Sequence, residues 1–170
     1  MSNQLQPPRL VTTTHAQDGT SIFQADTLVP LFQPFGPSVS AFANFHSRLR
    51  VPVSNITSPP PMPNELPRCP PTGISFGTTD IPANFTVPMH RTVSLDYAVV
   101  VSGEIMLKLD GGDEKTVKAG EFIVQKCVNH QWINRTDVPC RMAFVMIGAE
   151  KVELEDGTVL EELAPKRPGT

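Results

Sequence analysis

The sequence predicts an all-β domain, and three observations carry the prediction. Ile105, Leu107 and Leu109 alternate with Glu104, Met106 and Lys108, the pattern of a strand with one apolar face. Turn signals separate the strand-like runs, at Asp18-Gly19, at Asp110-Gly111-Gly112-Asp113 and at Asp156-Gly157. Eighteen prolines and eleven glycines punctuate the chain, and few windows space apolar residues for a helix. A length of 170 residues fits one domain with a sizeable core.

Taken in order, residues 1–10 read as a tail, followed by strands over residues 10–15 and 21–29. The Asp18-Gly19 turn joins these two strands as a hairpin. Residues 30–45 carry Phe32, Phe35, Phe42 and Phe45, suited to core packing or to one mouth of a barrel. His46 then opens a strand-like run in which Arg48 and Arg50 alternate with Leu49 and Val51. Eight prolines between residues 52 and 71 remove backbone donors and fix φ, so this stretch is an irregular loop across the surface. Residues 74–90 supply a strand, a turn and an approach to the richest stretch of the chain. After Gly103 come the alternating strand, a hairpin turn, EKTVKAGE, and the pair FIVQKCVNH and QWIN. Residues 141–149, RMAFVMIGA, form the most continuous apolar run and read as a buried strand. The last segment is either a hairpin about Asp156-Gly157 or a short helix from Thr158, and residues 165–170 are expected to fray.

Charge and composition exclude several classes. Net charge is −3 and no basic cluster exceeds two residues, so no nucleic-acid partner is expected. No apolar run approaches the ~20 residues of a membrane span. MSNQLQPPRL lacks both an apolar signal core and an arginine-rich amphipathic pattern. Cys69, Cys127 and Cys140 are odd in number and lack zinc-site spacing, which points to a reducing compartment, the cytoplasm. The Asn-x-Thr sequons at Asn55, Asn84 and Asn134 are then chance matches.

Chemistry concentrates between Pro88 and Asn134. His90, Thr92, Ser94 and Asp96 share one parity, so an extended strand turns all four toward one face. Six residues of strand separate His90 from Asp96 by about 20 Å, so a bulge or strong twist is needed before both meet one ion. His130, Trp132 and Asn134 form a second alternating run able to pair beside the first. Two imidazoles and one carboxylate with open positions suit a divalent transition metal.

These residues resemble the cupin superfamily, whose first motif reads Pro-x-His-x-His-x3-Glu-x6-Gly and whose second ends His-x3-Asn. Pro88, His90, Gly103, His130 and Asn134 fall in register, with Asp96 at the glutamate position. MHRT-x-SLDY-x-VV-x-SGE is closer still to small cupins found beside secondary-metabolite genes, especially fungal polyketide ones. The resemblance implies a double-stranded β-helix, or jelly-roll, barrel. It makes residues 1–72 an N-terminal extension with the proline-rich loop, 73–148 the barrel motifs, and 149–170 a C-terminal hairpin or short helix and tail. It also implies a homodimer and a site inside the barrel. The sequence departs from the pattern at Thr92, where a second histidine is usual, and at Asp96. It departs again at Gln125 and Cys127, where a proline and a turn glycine are usual.

The expected metal ligands are His90, Asp96 and His130, and the metal iron, manganese, nickel or zinc. The open alternative is a metal-free barrel whose polar residues hold a substrate. With a metal, either dioxygen chemistry or stabilisation of an enolate during decarboxylation, dehydration or isomerisation is available. His90, Asp96, His130 and Tyr97 are the candidate catalytic residues, with His46 a further proton donor. Trp132, Met106, Met142 and the phenylalanines offer surface for a flat apolar ligand. Arg91, Arg141 or Arg48 would meet a carboxylate, and Thr92 and Gln125 are further substrate contacts. The reading is a tailoring lyase or isomerase acting on an aromatic or polyketide-derived small molecule. Its alternatives are a non-heme metal oxygenase and a non-catalytic binding barrel.

Overall fold

The structure is a computed structural model that describes residues 4–62 and 64–165. Pro63 of the proline-rich loop, residues 1–3 and most of the tail expected to fray lie outside the described residues. Strands β1 (Arg9–His15) and β2 (Ser21–Leu28) form a separate hairpin, as the Asp18-Gly19 turn predicts. A five-stranded sheet follows the order β3-β4-β10-β5-β8, from β3 (Ala41–Arg48), β4 (Ile74–Ile81), β5 (Ser94–Ser102), β8 (Phe122–Lys126) and β10 (Cys140–Gly148). A three-stranded sheet orders β7-β6-β9, from β6 (Glu104–Leu109), β7 (Glu114–Lys118) and β9 (His130–Ile133). Strands β11 (Val152–Glu153) and β12 (Val159–Leu160) close a second hairpin, so the hairpin alternative holds and the short helix does not form. Pairings within the sheets are antiparallel and no helix occurs among the described residues.

The two larger sheets bury a common core, and the fold is an all-β jelly-roll barrel. Ile81, Val100, Ile123 and Met142 of the larger sheet pack with Ile105 and Trp132 of the smaller one. Each fully buried aliphatic side chain here stabilises the barrel by roughly 1.5–3 kcal/mol. Alternation decides the facing: Ser94 and Val100 of β5 point inward, whereas Tyr97 and Val101 point out. At Gly103, between β5 and β6, φ is +77° and an added Cβ would sit 3.0 Å from the Pro139 carbonyl oxygen. Only glycine fits that crossing.

The phenylalanine-rich run divides differently from the expectation. Strand β3 starts at Ala41, earlier than His46, because Ala41 and Ala43 are small enough to bury against the sheet. Phe42 faces the barrel interior, while Phe45 packs edge-on against Phe76, ring centroids 5.0 Å apart. Exposed apolar side chains collect on the outer face of β5 and β8, at Tyr97, Val101, Phe122 and Val124. The β1–β2 hairpin adds Phe23 and Leu28. No helix of the described residues is long and apolar enough to cross a membrane.

Candidate active site

The two histidines meet through the backbone. His90 and His130 exchange both N–H···O bonds at 2.9 Å, an antiparallel pair that draws their rings to 4.2 Å between centroids. The required break lies at Thr92–Val93: His90 sits in this bridge, and regular strand resumes only at Ser94. Each imidazole is held the same way, Nδ1 against the carbonyl oxygen two residues back. The distances are 2.8 Å from His90 to Pro88 and 3.0 Å from His130 to Val128. A carbonyl accepts only, so Nδ1 carries the proton in both rings and Nε2 keeps its lone pair.

Asp96 enters from β5, with Gln125 of β8 its cross-strand partner in the register. Its Oδ1 accepts the Ser94 hydroxyl at 2.6 Å and its Oδ2 the Gln125 amide at 3.3 Å. The same Gln125 Nε2 donates to His130 Nε2 at 3.2 Å. Gln125 therefore bridges the carboxylate and the second imidazole. Among the described residues no group of three or more His, Cys, Asp or Glu side chains is placed to hold one metal ion. Within the expected ligand set His90, Asp96 and His130, the Gln125 amide links the last two. Cys127, three residues before His130, keeps the left-handed backbone of a turn glycine, φ +49°, and its amide bonds the Ser94 carbonyl oxygen at 3.1 Å.

These groups line a cavity of about 570 Å³, within the range of small-molecule sites. Its walls include Phe35, Phe42, Phe85, Trp132, Met142 and Phe144. Thr92, Arg91 and Cys69 reach the same cavity. Two straps complete the mouth: residues 66–71 of the proline-rich loop, and residues 161–165, where Leu163 pairs with Arg91 in a backbone bridge. Arg68 and Glu162 form an ion pair between them. Desolvation sets the protonation states. Burial lowers His130 to about 4, helped by His90 and opposed by the Val128 carbonyl. Burial also lowers His90, against the Pro88 carbonyl, and raises Asp96, against its bonds from Ser94 and Gln125.

The cupin domain model matches residues 77–148, which contain the whole constellation. Phomopsin biosynthesis cluster protein C' of Diaporthe leptostromiformis is 32% identical over 94% of this chain and 87% of its own length. The chain belongs to the cupin family. The cupin-domain-containing oxidoreductase virC of Hypocrea virens is 38% identical to this cupin over 48% of the chain and 44% of its own length. Among solved structures, the Schizosaccharomyces pombe Cnp3 cupin domain shares 12% identity, 82% of this chain and 86% of its own, with a TM-score of 0.52. The polyketide cyclase RemF from Streptomyces resistomycificus shares 15%, covering 84% and 81%, with a TM-score of 0.50. Both structures share the fold.

Several expected site residues of this cupin lie elsewhere. Tyr97 follows inward-facing Asp96 on one strand, so alternation puts it outside, 48% exposed. Met106 sits between the core residues Ile105 and Leu107 and faces away from the cavity for the same reason. A bulge between Asn44 and His46 pairs His46 with Phe76, whose side chain is on the outer face. Arg141, next to cavity-lining Met142, points the other way and grips Asp80 through Nε and Nη2, both at 2.6 Å. Arg48 bonds the Thr57 carbonyl oxygen at 2.6 Å. Cys69 and the 161–165 strap carried no motif, so nothing in the sequence singled them out.

Asn134 is a structural residue of this cupin. It is 1% exposed, donates to the Ile81 and Val138 carbonyls at 3.1 and 2.8 Å, and accepts from the Thr136 amide and hydroxyl. Asn134→Ala strands these groups, at a cost of roughly 2–3 kcal/mol. A fall in Tm of roughly 4–12 °C is expected by calorimetry. An unchanged Tm would show the turn to be indifferent to its asparagine.

Proposed function

We propose that this cupin is a tailoring enzyme of secondary metabolism, a lyase or isomerase that moves protons on an aromatic or polyketide-derived small molecule. The observation that carries the reading is His90: a neutral imidazole with Nδ1 anchored and a free Nε2 in an apolar cavity, with a buried carboxyl nearby. His90 takes a proton from an activated C–H or O–H. Asp96, which burial pushes toward its protonated form, returns one to a leaving hydroxyl or to carbon. Gln125 holds Asp96 and His130 in place for that exchange. Dehydration, decarboxylation and cyclisation all fit this pairing of base and acid. The naming of relatives after biosynthesis clusters supports a role in secondary metabolism.

The pH dependence tests the assignment. His90 acts unprotonated and lies below its ordinary 6.5, so kcat/KM should fall as pH drops through that lowered value. Asp96 acts protonated and lies above its ordinary 3.8, so the rate should also decline as pH rises through that raised value, giving a bell. A rate that rises monotonically with pH would remove Asp96 as the acid.

A second reading, an oxidoreductase, is favoured by the names of relatives that match the barrel region. It calls for a redox metal, and Gln125 would have to release Asp96 and His130 for them to join His90 as ligands. Metal analysis of the purified protein, then turnover after chelation, separates the two. Undiminished turnover supports acid–base chemistry, and its loss on chelation with recovery on iron supports the oxidoreductase. The same proposal includes a homodimer, with the exposed strip of Phe122, Val124 and Tyr97 against a second copy. A monomer by light scattering would remove that part.

A further inference from the structure

Three buried polar atoms with no hydrogen-bond partner belong to residues lining the cavity: Ser40 Oγ, Arg91 Nε and Gln125 Oε1. They are one hydroxyl, one cationic donor and one acceptor. Gln125 is 7% exposed and Ser40 5%, so bulk water does not serve them. A buried polar atom left unpaired is costly and calls for a partner the protein itself does not supply.

Arg91 is also a cation without a carboxylate among the described residues. The acidic residues of the strap beside it are already engaged: Glu161 with Lys151 at 2.7 Å, and Glu162 with Arg68. Arg91 Nη1 reaches only the Glu161 carbonyl oxygen, at 3.4 Å, and its backbone is fixed by the two bonds to Leu163. Gln125 spends both amide hydrogens on Asp96 and His130, which leaves Oε1 as a pure acceptor.

We infer that the substrate is a hydroxylated aromatic or enolic acid, its anionic oxygen on Arg91 and its hydroxyl donating to Gln125 Oε1, with Ser40 as a further contact. The flat body lies among Phe42, Phe85 and Trp132. This inference rests on the cavity being the substrate site, as proposed above, and names what the site selects. It puts the anionic group on the residue next to the base His90, where negative charge that develops on proton removal is stabilised.

Trp132 is the single tryptophan and lines the cavity, so its fluorescence reports binding directly. The probes are hydroxynaphthoate isomers, unsubstituted naphthoate and naphthol. At least one hydroxynaphthoate isomer should bind more tightly than both fragments, by roughly ten- to hundred-fold. Arg91→Met should abolish the advantage over naphthol and keep that over naphthoate, and Gln125→Met should do the reverse. Arg91→Lys should restore part of the first, which separates lost charge from lost packing. Equal affinities for acid and fragments, or preferences unmoved by both substitutions, overturn the inference, as does absence of binding by every probe. The measurement needs no turnover, so a failed acid–base reading would show in the pH profile and leave these preferences standing.

Discussion

Replacing His90 by glutamine is expected to lower kcat by about 10²–10⁴-fold with little change in KM, the range for loss of a positioned general base. Glutamine can still donate to the Pro88 carbonyl oxygen, which the imidazole Nδ1 now meets at 2.8 Å, so the loop keeps its tie. The backbone bonds to His130 do not involve the side chain. What disappears is the free Nε2 and its lone pair. Turnover is best followed in reconstitution with the enzymes of the pathway served, and folding by far-ultraviolet circular dichroism. His130→Gln should cost less, because its Nε2 is already bonded to Gln125 rather than open to a ligand. Full activity in H90Q would remove His90 as the base, and a larger loss in H130Q would exchange the two roles.

Much of this site is written in local pattern. His90, Gly103, His130 and Asn134 carry the cupin resemblance that implies the barrel, and parity alone puts Asp96 inside. The same parity excludes Tyr97 and Met106, each one position from an inward residue. Gln125 shows what local pattern does not contain. Its role depends on facing Asp96 across two strands 29 residues apart, a register fixed by the whole sheet. The break at Thr92–Val93 is similar. Nothing in those two residues signals a bend; it arises because His90 must pair with His130 while Ser94 onward pairs with Met146's strand. Cys127 is the opposite case, a residue unsuited to positive φ that the surrounding bonds nevertheless hold there, at a typical cost of about 1–3 kcal/mol.

Arg141 is expected to matter for stability and not for substrate. Its side chain is 12% exposed and that of Asp80 6%, and two hydrogen bonds of 2.6 Å join them. Arg141→Ala leaves the Asp80 carboxylate buried without its cation, for which roughly 3–5 kcal/mol of stability is lost. It also removes the bond from Nη2 to the Gln6 carbonyl oxygen, 2.9 Å, that fastens the N-terminal segment to the sheet. Tm should fall by roughly 6–20 °C in calorimetry. Pairing Arg141→Met with Asp80→Leu should recover much of that loss, since removing both charges abolishes the desolvation cost along with the attraction. Aromatic probes should bind the destabilised R141A protein, below its new Tm, as they bind the parent. Weakened probe binding at an unchanged Tm would return Arg141 to the substrate site and sink this assignment.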